Sequence, residues 1–287
     1  MARTTRLAGW EVFPVGLGGM PLSIQGRPDE TRAVAVIKAF IDGGGNFIDT
    51  ANAYCLDNRD MGHNEALIDR ALRKLGVRDR IVVATKGGLT RPNGAWEVDG
   101  RPEWLRASCE KSLRDLGVEC IDLYQLHAVD PKVPFAETLD ELARLKAEGK
   151  IRHVGLSNII PMQLDVALMH LPVVSVQNRC SPLHKRDFAT GMVQLCADRG
   201  VTFIPHSPVG GHFGHARLAK NPVLREIAGR HGVSAHAVAI AWLLAKGPHI
   251  LPIPGASRVA SIEDSLGAVR IGLTASEIAA LDQLPDV

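Results

Sequence analysis

The sequence predicts an α/β protein of the (β/α)8 TIM-barrel class, a single domain over residues 1–287. Three observations predict it. Short runs rich in Val and Ile alternate with helical patterns along the whole chain, which means parallel strands joined by helical crossovers. Eight such units fit within 287 residues, and a closed barrel suits that number and length better than an open sheet. The doubly wound alternative carries a glycine fingerprint after its first strand. Here Gly16 and Gly18 are followed by Pro21, so the G-x-G-x-x-G spacing fails.

Val15–Gly18 reads as the first strand. Asp29 caps a helix to about Asp42, with Ala33, Val36, Ile37 and Phe40 on one face. Asn46–Asp49 is the second strand, and Asn64–Leu75 a helix stopped by Gly76. Ile81–Lys86 is the third, followed by a polar loop, Gly87–Gly100, and a helix that starts at Pro102 and ends near Leu116. Ile121–His127 is the fourth, with a helix over Phe135–Glu148 stopped by Gly149. Ile151–Ser157 and Val173–Gln177 are the fifth and sixth, each trailed by a helix, Met162–Leu171 and Arg186–Arg199. Val201–Pro205 is the seventh. A Gly/His loop to about Leu218 then precedes helices at Pro222–His231 and Ala235–Lys246, the second capped by Ser234. Ile250–Pro252 is a short eighth strand with its helix at Val259–Val269. Thr274 and Glu277 form a capping box for a last helix to about Leu284.

Bulk properties exclude several classes. Lys plus Arg is 33 against 31 for Asp plus Glu, a formal charge of +2, which argues against a nucleic-acid or membrane surface. The apolar runs are far too short to span a bilayer. The N-terminus, MARTTRLAGW, lacks the apolar core of a signal peptide. Five cysteines, Cys55, Cys109, Cys120, Cys180 and Cys196, form no CxxC pair. Reduced thiols in a cytoplasmic protein are therefore the expectation.

In barrels of this class chemistry sits at the C-terminal strand ends. The second strand ends at Asp49, with Tyr54 five residues on; the third at Lys86, the fourth at His127, the fifth at Ser157–Asn158, the sixth at Gln177 and the seventh at His206–Ser207. Each has a plain structural reading. A lysine stem covers apolar surface, a core histidine bonds backbone, and amides satisfy strand ends. Together those readings require four or five coincidences on one rim, so a ring of functional groups is the better account.

The pieces DTANAY, VVATKGG, LYQLH, IRHVGLSN, VQNR and IPGAS, in this order, resemble the aldo-keto reductase superfamily, from GLGGM to the last helix. The resemblance implies a barrel that binds NADPH (NADP+), with NADH possible, and that reduces a small aldehyde or ketone or runs the reverse reaction. It implies a catalytic tetrad of Asp49, Tyr54, Lys86 and His127, and a nicotinamide carboxamide held by Ser157, Asn158 and Gln177. It further implies cofactor contacts from Gly19, Met20, Asp49, His206, Ser207, Pro208, Val209, Gly210, Gly255, Ala256, Ser257, Arg258, Ser261, Asp264 and Ser265. Cys55, Trp96, His127, His212 and Phe213, on rim loops, are candidates to line the substrate pocket.

The chemistry makes independent sense. Carbonyl reduction places a hydride on carbon, from the nicotinamide, and a proton on oxygen. Tyrosine can give the proton, but its free pKa of about 10 is high for neutral pH. A neighbouring Lys86 cation is expected to lower it, with Asp49 keeping that cation charged. His127 would donate a hydrogen bond to the substrate oxygen.

Three features depart from the family. His206 stands where a Tyr usually stacks on the nicotinamide. Only Pro285–Val287 follow the last helix, so an open pocket is expected. Arg258 lies four residues after Pro254, whereas many members place an Arg seven after, at Ser261 here; Asp264 and Ser265 occupy positions that are often Glu and Asn. Two other readings compete. A lysine Schiff-base aldolase would use Lys86 but leaves the Asp49–Tyr54 pair, the SN, QN and IPGAS pieces idle. A redox-sensing subunit would hold the cofactor with little turnover, against which the intact tetrad argues. His206, His212 and His215 lie within ten residues, but their loose spacing and the lack of a nearby carboxylate or Cys favour no metal.

Overall fold

The Val/Ile runs become the staves of one parallel barrel in the computed structural model, which describes residues 4–287 with the side chains of His212 and Phe213 excepted. Ahead of the barrel lies a hairpin that the sequence reading lacks, β1 (Thr5–Leu7) and β2 (Trp10–Val12), paired antiparallel. Its turn residues, Ala8 and Gly9, have φ of 50° and 96°, as a two-residue hairpin matched to strand twist requires. Leu7 and Val12 plug the N-terminal mouth, packed with Phe47, Val82, Leu123, Ile204 and Leu251.

The staves follow in chain order: β3 (Leu17–Gly18), β4 (Phe47–Asp49), β5 (Val82–Gly87), then, beyond a side hairpin of β6 (Leu89–Thr90) and β7 (Glu97–Val98), β8 (Ile121–Leu126), β9 (Ile151–Ser157), β10 (Val173–Arg179) and β11 (Thr202–His206). Excluding the hairpin strands, these pair parallel as neighbours. Residues 250–255 close the ring. They form parallel bridges to Phe203 and His206 on one side and to Gly18 on the other. Gly16 and Gly18 donate to the carbonyls of Pro252 and Pro254 at 2.9 and 3.0 Å. Neither proline can donate in return, which keeps this stave from a continuous ladder.

Side-chain alternation explains both faces. In β4 and β5, Phe47, Val82 and Ala84 join the interior cluster, whereas Ile48 and Val83 join the outer layer beneath the helices. The last interior position of β4 is Asp49 and of β5 Lys86, so the interior row ends in charge. Gly155 of β9 meets a steric limit in that row: a Cβ there would lie 2.3 Å from the Ser175 hydroxyl and 2.9 Å from Gln125 Cγ.

The outer helices are α1 (Glu30–Asp42), α2 (His63–Lys74), α3 (Pro102–Asp115), α4 (Phe135–Ala147), α5 (Pro161–His170), α6 (Arg186–Ala189), α7 (Met192–Arg199), α8 (Gly211–Lys220), α9 (Pro222–His231), α10 (Ala235–Ala245), α11 (Val259–Gly267) and α12 (Ala275–Asp282). Three expectations are corrected. The loop over 87–100 contains the β6–β7 hairpin. The helix expected over 186–199 breaks into α6 and α7 at Gly191, whose φ of 79° no right-handed helix accepts. The Gly/His loop after β11 holds α8. The expected caps at Asp29, Ser234 and Thr274 all form. All five cysteines are free thiols.

Candidate active site

The cavity lies at the C-terminal ends of the staves and measures about 520 Å³, within the usual range of roughly 300–1,000 Å³ for small-molecule sites. At its floor the Lys86 ammonium donates to Asp49 Oδ2 at 2.5 Å, to the Thr50 carbonyl at 2.9 Å and to Tyr54 Oη at 2.9 Å. All three residues with side chains in this cluster are buried. Asp49 is fixed from its other oxygen: Gln125 and Gln177 both donate their Nε2 to Oδ1, at 3.0 and 2.7 Å. Burial alone would push Lys86 down, but Asp49 and Tyr54 outweigh it and hold the pKa above its ordinary value. The lysine is therefore a fixed cation.

One electrostatic expectation is overturned. Tyr54 is not lowered but raised: its burial outweighs the Lys86 charge, and Asp49 opposes that charge. The main reason is burial of the phenol, and the Asp49 charge beside Lys86 offsets part of the cation's pull. An ammonium has donors only, so Tyr54 Oη accepts from Lys86 and its own proton is free to face the cavity.

His127 stands beside this group, its ring 5.7 Å from that of Tyr54 at 80°. Burial, then Lys86 and His206, push its pKa well below the ordinary value, so the ring is neutral. Nδ1 is buried without a partner, which leaves the Nε2 edge toward the cavity that His127 lines.

The next strand ends form a linked amide–imidazole unit. Asn158 donates Nδ2 to the His127 carbonyl at 2.9 Å and to Ser157 Oγ at 3.1 Å. Its Oδ1 lies 3.3 Å from His206 Nε2, and His206 Nδ1 lies 3.1 Å from Ser207 Oγ. An amide oxygen only accepts, so Nε2 carries the proton and Nδ1 accepts from the serine. Burial, helped by Lys86 and Arg179, pushes His206 down to about 3. Asn158 and Ser207 both adopt left-handed backbone, φ 57° and 54°. Ser207 is an uncommon residue to hold there, a strain that clusters at functional sites.

The far end of the cavity runs past Gly255, Ala256, Ser257, Arg258, Ser261, Asp264 and Ser265. Arg258 is exposed, and no ion pair holds it among the described residues. It is also the N-cap of α11 without a side-chain cap bond, so the first N–H groups of that helix are open to an anion. Asp264 is engaged by Ser234 Oγ at 2.6 Å, and Ser265 Oγ donates to the Ser261 carbonyl at 2.9 Å.

Met20, Pro208, Val209, Trp96 and the tetrad's Asp49, Tyr54 and His127 line the cavity as expected. Lys86 is sealed beneath them. Gly19, Gly210 and Cys55 are outside the lining. Gly19 is buried and donates to the Asp49 carbonyl at 2.8 Å; Gly210 caps α8. Cys55 is fully buried, its thiol turned to the Ala53 carbonyl. The His212 and Phe213 side chains lie outside those described. Gln177 lines the cavity, yet its amide nitrogen serves Asp49. Sequence reasoning missed Gln125, Leu89 and His236, and weighed His215, which lines the cavity, only as a metal ligand. Gln125 was legible in principle, since it shares the interior parity of Leu123 and His127. Residues 284–287 dock on the loop after β10, with Val287 N bonded to the Leu183 carbonyl at 3.0 Å, and do not wall the cavity.

Comparison with known proteins agrees with this site. The family model for the aldo/keto reductase family matches residues 14–286. An uncharacterized oxidoreductase of Schizosaccharomyces pombe is 35% identical over 289 residues, covering 98% of this chain and 90% of the relative. A thermostable aldo-keto reductase solved with the inhibitor epalrestat superposes with a TM-score of 0.82 at 29% identity, covering 97% of this chain and 98% of that one. An aldo/keto reductase of Klebsiella pneumoniae, solved with NADP and acetate, superposes with a TM-score of 0.81 at 25% identity, covering 99% and 95%. With the barrel, the buried Lys86–Asp49–Tyr54 cluster and a match over nearly its whole length, the chain belongs to the aldo/keto reductase family.

Proposed function

We propose that this oxidoreductase reduces an aldehyde or ketone with NADPH, Tyr54 giving the proton. The observation that carries the reading is the fully committed Lys86 ammonium, which leaves the Tyr54 hydroxyl proton free to be given to a substrate oxygen at the cavity floor. The Klebsiella relative in complex with NADP supports the cofactor class. When bound, the nicotinamide supplies a hydride to the carbonyl carbon.

The chain's own residues do the rest. Ser157, Asn158 and Gln177 supply hydroxyl and amide groups suited to a carboxamide, and the His206 ring is a flat face beside them, locked by Asn158 and Ser207. The substrate oxygen sits between Tyr54 Oη and the neutral His127 edge. His127 donates to it, and Tyr54 transfers its proton as negative charge develops on the oxygen. The raised pKa of Tyr54 keeps the phenol protonated before reaction, and its bond from Lys86 strengthens as the phenolate forms. At the far end Arg258, Ser257, Ser261 and the open first turn of α11 suit a 2′-phosphate, which favours NADPH over NADH. A small carbonyl compound is the substrate partner, and a cytoplasmic location is part of this reading, one that suits five free cysteines.

The test is Tyr54→Phe, assayed by loss of NADPH absorbance across a panel of aldehydes and ketones. Its kcat is expected to fall by roughly 10²–10⁴-fold with cofactor affinity nearly intact. Wild-type turnover in the variant would sink the assignment.

A further inference from the structure

A second buried cation sits behind the substrate end of the cavity. Arg91 follows β6 and is fully buried, yet no carboxylate pairs with it among the described residues. Its Nη2 donates to the Leu56 carbonyl at 3.3 Å, its other polar neighbour is the Cys55 thiol, and Nε and Nη1 have no partner. Burying an unpaired guanidinium is costly, so its position needs a reason.

Trp96 supplies one. The Arg91 guanidinium lies over the indole, 3.6 Å from the ring centroid. Trp96 is otherwise 47% exposed and lines the cavity, and it meets the Tyr54 ring edge-on at 6.3 Å and 80°. The hairpin that carries it pairs only Leu89 with Val98 and Thr90 with Glu97, too little ladder to fix a large ring. Arg91 also binds the segment after Tyr54 through its backbone: its N–H donates to Asn58 Oδ1 at 2.6 Å, and its carbonyl accepts from Asn58 N at 3.0 Å. Arg91 therefore joins the two loops that carry Tyr54 and Trp96.

We infer that Arg91 is a positioning residue that anchors Trp96 as the wall of the substrate pocket and so sets a preference for carbonyl compounds with a flat aromatic substituent. The preference rests on the reductase reading; the anchoring does not. With one part of the indole covered by Arg91, the part left open to the cavity offers a rigid aromatic surface that loses little entropy when a ring packs on it. Arg is suited to the anchor because its planar, weakly hydrated cation stacks on indole, which an ammonium does not reproduce.

The test uses the full chain with NADPH, benzaldehyde as the aromatic probe and propanal as a probe too short to reach Trp96. Arg91→Met is expected to raise KM for benzaldehyde about tenfold with kcat within about threefold, and to move KM for propanal less than about twofold. Arg91→Lys is expected between the two. In a Trp96→Ala background, Arg91→Met should add less than about twofold, since it acts through the missing ring. A readout without turnover is acrylamide quenching of Trp96, taken as the difference between the chain and its Trp96→Phe variant. Arg91→Met should raise that quenching about twofold or more as the unpinned ring gains motion. Equal KM losses for both aldehydes, additive losses in the double variant, or unchanged quenching would overturn the inference. Should Arg91→Met fail to fold, the same readouts on Arg91→Lys decide it. A wild-type chain that turns over other carbonyls of the panel but not benzaldehyde overturns the aromatic preference; one that turns over no aldehyde or ketone refutes the reductase reading and the preference with it, and quenching alone then decides the anchor.

Discussion

The protons of the Lys86 ammonium are committed to Asp49, Thr50 and Tyr54, and Asp49 is held in turn by Gln125 and Gln177. Removing any one of these frees a buried donor or acceptor, so the cluster acts as a unit. Arg258 is the opposite case: an exposed cation with no ion pair among the described residues, placed where a phosphate could meet the first turn of α11. Arg258→Ala is expected to raise KM for NADPH about tenfold or more, a loss of roughly 1.4 kcal/mol, with little change for NADH. Steady-state kinetics with both cofactors checks this, and equal losses for the two would show that Arg258 does not read the 2′-phosphate. Asp49, Lys86 and His127 were legible because each ends a hydrophobic run with a polar residue, and Tyr54 because it follows Asp49 closely in the adjoining loop. Arg91 was not, because its burial depends on Trp96 and the Tyr54 loop folding over it.

At the scale of elements, periodicity located the staves and the main helices, since long patterned runs bury one face. The two hairpins escaped it. Strands of two or three residues carry too little pattern, and β6 and β7 lie in a stretch whose Pro, Asn and Gly suggest only loop. The β1–β2 turn also offers a stability test. Ala8 holds a φ of 50°, which an L-residue with a Cβ adopts at some cost and Asn adopts more readily. Ala8→Asn, giving the Asn-Gly pair this turn favours, is expected to stabilise the protein by about 0.5–1 kcal/mol, on the scale of other backbone-matching substitutions. Thermal melting measures it; a lowered Tm would mean that the Ala8 methyl packs more than the turn strains.

At the scale of the whole molecule, the helical layer carries a buried acid. Glu65 of α2 is fully buried; it accepts from the Thr85 hydroxyl of β5 at 2.5 Å, and its Oε2 has no partner. Burial raises its pKa to about 7 from the ordinary carboxyl value of 4.5. The folded state thus keeps a proton that the unfolded chain releases near pH 4.5. The stability this contributes is full below that pH and is lost as pH rises to about 7, a change on the order of 3 kcal/mol. Glu65→Gln cannot ionise and keeps an acceptor for Thr85. Wild-type Tm minus variant Tm is expected to fall between pH 5 and 8; a flat difference would show that Glu65 is not buried as an acid.

The sequence by itself determined the class of barrel, the order of its staves and the rim on which the chemistry stands, because alternating burial and strand-end polarity are local properties. It also determined that His206, not a Tyr, ends the seventh strand ahead of Ser207 and Pro208. Only the tertiary structure decided what these groups do to one another. The Lys86–Asp49 contact joins residues 37 positions apart, and the Gln177–Asp49 contact residues 128 apart. Burial above all, with the Asp49 charge opposing that of Lys86, raises Tyr54 where the sequence suggested a fall. The same closure turned Cys55 away from the cavity and sealed Arg91 behind Trp96. A pKa and a buried cation depend on the distance to charges and to water, and those distances exist only once the ring of staves has closed.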